Sequence, residues 1–111
     1  MELIWLHTTD QKTMIKHLLL LQFKQNIDQK QIDSMFIQFT GLMAKIDGIN
    51  SIDYGTNQNP EKLNKNYTHA VEVTFSSLEA RDHYLVHKDH KALETVLLGL
   101  LSDLIVFDFE C

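Results

Sequence analysis

Cysteine is nearly absent from this chain. The single one, Cys111, is the last residue, so no disulfide can close within the chain, and this usage fits a reducing compartment. There is no CxxC pair, no glycine-rich phosphate loop and no nucleophilic serine motif, so the classes that depend on them are set aside. Basic residues are outnumbered, with 10 Lys and Arg against 15 Asp and Glu, and the lysines are scattered. Nucleic acid needs a clustered basic surface, so it is not an expected partner. Long apolar runs are missing as well. The longest, Leu18 to Leu21 and Leu97 to Leu101, are far below the length that spans a bilayer, and no membrane association is expected. The opening stretch, Met1 to His7, has an acidic second residue and too short an apolar run for a secretory leader. The expected location is cytoplasmic.

What remains is an ordinary globular composition: 111 residues, 44% hydrophobic and 23% charged. That is enough chain for one domain, though a small one that gains from association. Residues 1–13 read as an N-terminal extension that ends in a polar, aperiodic run from Thr8 to Thr13, with Trp5 placed to cover an apolar edge. Residues 14–111 read as a single domain, and Met14 is an alternative start.

Alternation predicts a first strand over Ile15 to Lys24, with Ile15, His17, Leu19, Leu21 and Phe23 on one face. Leu18 and Leu20 make its other face apolar too. A helix follows from Gln29 to Asp47. Asp28 with Gln31 forms a capping box, and an apolar stripe runs through Ile32, Met35, Phe36, Phe39, Leu42, Met43 and Ile46 until Gly48 stops it. A short strand over Ile49 to Gly55, a polar loop holding the only proline and a regular strand over Tyr67 to Phe75 come next. Ser76 with Glu79 is read as the cap of a second helix over Ser77 to Val86. A further helical stretch carries Ala92, Leu93, Val96, Leu97, Leu100 and Leu101. A last strand over Asp103 to Phe109 is apolar on both faces. The order β-α-β-β-α-β predicts an α+β, ferredoxin-like subunit with helices on one side of its sheet. Strands one and four then present a second apolar face that nothing in the chain is left to cover. The economical cover is a second copy, which predicts a homodimer closing into an α/β barrel.

Chemistry concentrates in His83-Tyr-Leu-Val-His-Lys-Asp-His90. On one unbroken helix, His83, His87 and His90 share a face and suit a metal, with Asp82 or Asp89 completing the site. If the helix breaks near Lys88, the stripe dissolves, and Tyr84 and His90 are free to converge for proton transfer. Both geometries are open to the sequence. His17 and His69, on strands with apolar neighbours, read as satisfied interior histidines, and His69 as structural. Asp108, a carboxylate in an apolar strand, is expected to pair across a dimer or to lie at the strand end.

Five blocks of this sequence resemble the stress-responsive dimeric α/β-barrel (Dabb) family: Met14 to Lys24, Leu63 to His69, Val71 to Phe75, Tyr84 to His90 and Leu104 to Phe109. The resemblance spans residues 14 to 110 and implies a stress-responsive α/β-barrel domain over 14–111 that forms a dimeric barrel. A plant member of the family is a polyketide cyclase that works by aldol condensation without a metal. Carried over residue by residue, its tyrosine and histidine pair falls on Tyr84 and His90, and its pocket histidine falls on His17. Its pocket lining falls on Leu19, Phe36, Phe39, Val71 and Val73. At Phe39 the cyclase has a tyrosine, so one hydroxyl is missing here. At Lys88 the family often has a proline that forces the helix break.

Taken together, the residues and the resemblance predict a homodimer binding a small apolar or carbonyl-containing ligand between sheet and helices. Any turnover would be cofactor-independent lyase or cyclase chemistry, with His90 as base and Tyr84 as hydrogen-bond donor to the enolate oxygen. No metal and no cofactor are expected. One competing class is a non-catalytic, stress-associated dimer; another is a monooxygenase-like dimeric barrel enzyme. A cavity of ~300 Å³ or more beside His90 favours a ligand site, and a filled interior favours the non-catalytic class.

Overall fold

The computed structural model describes residues 13–111, and the expectations for Trp5 and the extension fall outside the described residues apart from Thr13. Strand β1 spans Ile15–Phe23 and helix α1 spans Gln29–Gly41, continued by a 3₁₀ turn over Leu42–Ala44. Then follow β2 (Ile49–Thr56), β3 (His69–Phe75), α2 (Leu78–Val86), α3 (Lys88–Leu100) and β4 (Leu101–Glu110). The four strands form one antiparallel sheet in the order β2-β3-β1-β4. This is the ferredoxin-like α+β arrangement that the element order predicts.

The alternation of β1 decides which side chains meet the helices. Ile15, His17, Leu19 and Leu21 are buried, and across from them stand Phe75, Val73, Val71 and His69 on β3. Helix α1 lays Ile32, Met35, Phe36 and Phe39 on this face. Its capping box is closed, with Gln31 N donating to Asp28 Oδ1 at 2.9 Å and Asp28 N donating to Gln31 Oε1 at 3.0 Å. Gly48 sits at φ +95°, and an added Cβ there would stand 2.6 Å from the Ala80 Cβ. Both the backbone conformation and the close approach to α2 require glycine.

Several boundaries differ from the sequence reading, most by a residue or two. Helix α1 ends at Gly41 and tightens into the 3₁₀ turn, so the 3.6-residue period lapses and Met43 leaves the apolar stripe for solvent while Leu42 and Ile46 stay buried. Ser77 caps α2, accepting from Ala80 N at 3.1 Å, in place of the Ser76–Glu79 box. Strand β3 begins at His69, two residues later than read. Leu101, read as the end of a helix, starts β4, where it pairs with Phe23 across a register shift.

The opposite face of the sheet has no layer over it among the described residues. Lys16, Leu18 and Leu20 point there, opposite Phe109, Phe107 and Ile105 on β4. Phe107 is 60% exposed, Phe109 43% and Ile105 39%.

Candidate functional site

The helix does break between His83 and His90, and a histidine makes the break. His87 adopts an extended backbone (φ −68°, ψ 139°), ends α2, and caps α3 by accepting from Asp89 N through Nδ1 at 3.1 Å. No proline is needed, because the imidazole supplies the acceptor that the first turn of α3 lacks. The three histidines therefore separate. His83 and His87 stay together on one side, with rings 5.5 Å apart, while His90 turns onto Tyr84 at a ring separation of 4.2 Å. Among the described residues no group of histidine, cysteine and carboxylate side chains has a metal-binding arrangement.

His90 is half-buried, and its Nδ1 donates to the Leu85 carbonyl at 3.2 Å. A carbonyl only accepts, so this bond puts the proton of a neutral imidazole on Nδ1 and leaves the Nε2 lone pair as the free basic site. Burial pulls the His90 pKa below its ordinary value of 6.5, against a smaller opposing effect of the Leu85 hydrogen bond and the Glu94 carboxylate. The imidazole is thus neutral, and competent as a base, at neutral pH. Tyr84 is 1% exposed, and burial, with a contribution from Glu94, raises its pKa well above 10.0. It is a phenol under all ordinary conditions and so a hydrogen-bond donor.

His17 lies on the other side of Tyr84, with ring centroids 5.9 Å apart. Its Nδ1 is 2.7 Å from Asp108 Oδ1, and Arg81 Nη1 donates to Asp108 Oδ2 at 2.7 Å. The register explains the first contact, because His17 and Asp108 are directly opposed on β1 and β4. Asp108 therefore pairs within its own chain, with its charge offset by Arg81.

A cavity of about 140 Å³ opens between the sheet and helix α3. His17, Leu19, Phe39 and His90 line it, with further apolar side chains from α3 and β4 and with Glu94. The other residues read as cavity-lining lie elsewhere. Phe36 stacks on Tyr54 at 4.2 Å and leans on His69, while Val71 and Val73 are closed into the core. Tyr84 stands behind the wall, packed between His17, Phe75 and His90. The cavity is neither a filled interior nor the ~300 Å³ of a drug-sized site.

Sequence reasoning missed Glu94, Arg81 and the Leu85 carbonyl. Glu94 was findable, because it stands one helical turn after His90 on α3. Arg81 was not, since its tie to Asp108 joins residues 27 apart through the fold.

The sequence pattern of the stress responsive A/B barrel domain matches residues 15–111. The stress-response A/B barrel domain-containing protein HS1 of Arabidopsis thaliana is 31% identical over 99 residues, covering 89% of this chain and 91% of the relative. Olivetolic acid cyclase of Cannabis sativa is 30% identical over 95 residues, covering 86% and 94%. Among solved structures, a dimeric ferredoxin-like protein of unknown function from Jannaschia superposes with a TM-score of 0.80 at 24% identity, over 88% of this chain and 99% of that one. That likeness is one of fold. No helix among the described residues is long and apolar enough to cross a membrane.

Proposed function

The chain belongs to the stress-responsive A/B barrel domain family, and on that footing we propose that it is a homodimeric small-molecule-binding protein with acid/base chemistry at His90. The observation that carries the reading is the hydrogen bond from His90 Nδ1 to the Leu85 carbonyl, in a histidine that lines an apolar cavity. It supplies an oriented, neutral base in a water-poor space, which is what proton abstraction beside a carbonyl requires.

In this reading a ligand with a carbonyl enters the cavity, and His90 Nε2 takes a proton from the carbon next to it. The C–H electron pair moves into the carbonyl to give an enolate, and His90 becomes an imidazolium. Tyr84, held as a phenol against the His90 ring but behind the cavity wall, serves as donor to the enolate oxygen only once its hydroxyl reaches the cavity. Return of the proton, or attack of the enolate carbon on a second carbonyl of the same ligand, completes an exchange or a cyclisation. The name of the cyclase relative supports this direction.

Exchange of the methyl protons of acetophenone in D₂O, followed by proton NMR, tests the chemistry. The protein should speed exchange over buffer, and His90→Ala should lose roughly 10²–10⁴ of the gain. No acceleration by the intact protein sinks the catalytic reading.

The 1% exposure of Tyr84 favours a second reading, binding without turnover. The dimer rests on the uncovered face of Phe107, Phe109 and Ile105 and on the dimeric relative of the same fold. Light scattering at micromolar concentration should report twice the 12.9 kDa chain mass, and a strict monomer removes it.

A further inference from the structure

We propose that Glu94 sets the charge preference of the cavity, so that it admits neutral carbonyl compounds and ammonium-bearing rings and turns away carboxylates. The proposal rests on the ligand-binding reading above and names the class of ligand it favours.

Most of the cavity wall is apolar, and three of its side chains are polar: His17, His90 and Glu94. The two histidines are tied down from behind. His17 is held by Asp108, whose charge Arg81 offsets, and His90 by the Leu85 carbonyl. That leaves Glu94 as the one carboxylate among the cavity-lining residues.

Its nearest cation, Lys91, has Nζ 3.6 Å from Glu94 Oε1, but Lys91 is more exposed than Glu94 and does not line the cavity. A pair this exposed is weak and screened, and Lys91 has a long side chain free to leave it. The carboxylate also acts inward, because its charge works against deprotonation of both Tyr84 and His90. Its field therefore reaches the base that a ligand would meet.

The consequence is directional. A carboxylate entering the cavity brings like charge beside Glu94, and like-charge juxtaposition in a partly desolvated site is costly. A neutral carbonyl is spared that cost, and an ammonium group gains from it. The same charge favours the imidazolium that His90 would become after taking a proton. Size narrows the class further. A dry protein cavity of about 150 Å³ holds one benzene ring, so at about 140 Å³ this one suits a single ring or a short chain.

Titration of the full chain with acetophenone, benzylamine as its ammonium form and benzoate at neutral pH, read by amide shift changes around Leu93 and Leu97, tests this. The intact protein should bind the first two at least about tenfold more tightly than benzoate. Glu94→Gln, which keeps the shape and removes the charge, should bring benzoate to within about threefold of acetophenone and weaken benzylamine. If all three bind the intact protein alike, or if Glu94→Gln leaves the ranking unchanged, Glu94 does not set the preference while the binding reading stands. If none of the three shifts these amides, the binding reading itself fails and this proposal falls with it.

Discussion

The two faces of the sheet are built from the same strands by the same alternation, yet they end in opposite states. On the helix side, Leu21, Val71, Val73 and Phe75 are closed off completely. On the other side, Phe107 and Phe109 lie open, with ring centroids 6.5 Å apart. The difference is one of cover. The helices lie on one side of the four strands, and among the described residues no layer lies over the other side. The polar groups divide in the same way. The inner face carries the His17–Asp108–Arg81 chain, each member hydrogen-bonded to the next. The outer face carries Lys16, which donates to the buried Thr74 hydroxyl at 3.1 Å and lies 3.5 Å from Glu72.

Substitutions on the two faces should therefore act on different quantities. The largest effect expected is on assembly. Phe107→Asp places a charge in the middle of the uncovered face and should convert the proposed dimer to a monomer in sedimentation velocity at micromolar concentration. A dimer that survives it uses some other surface. Phe75→Ala on the inner face should instead cost about 3–5 kcal/mol in urea unfolding, because it empties a fully buried ring site. A cost below about 1 kcal/mol there would erase the distinction between the faces.

Asp108→Ala removes the acceptor shared by His17 and Arg81. It should destabilise by roughly 1–3 kcal/mol, the range for leaving a partly buried polar partner unsatisfied. Arg81→Ala should cost less than Asp108→Ala, since Asp108 keeps His17; the reverse order would show that Arg81 acts elsewhere.

The smallest effect sharpens the comparison through pH. His90 and His69 both have pKa values lowered mainly by burial. The unfolded chain then binds more protons than the folded one just below pH 6.5, so stability is fully present above that value and declines as pH falls through and below it. Unfolding midpoints between pH 7.5 and 5 should show this slope, and His90→Gln should flatten it. Any acid/base turnover should fall along the same acid limb as His90 protonates.

The histidine segment shows how far the sequence could be read. That Tyr84 and His90 could converge was legible, but only as one of two geometries. The choice was made by His87, whose imidazole caps α3 in place of the usual short polar side chain. Asp108 shows the opposite limit. An acidic residue in an apolar strand was visible, but its partner was not, because the pairing depends on the register of β4 against β1 and on an arginine from α2. The cavity list divides similarly. Leu19, Phe39, His17 and His90 line the space, while Phe36, Val71 and Val73 share their inward direction and go to core packing.

By itself the sequence determined the element order, the inward residues of each strand and helix, and the second apolar face, because alternation, helical spacing and capping are local properties of neighbouring residues. Only the tertiary structure decided that Asp108 meets both His17 and Arg81, that Tyr84 stands behind His90, and that Glu94 is the one carboxylate lining the cavity. Those contacts join groups far apart in the chain, and they are set by register and by the angle at which α3 leaves His87.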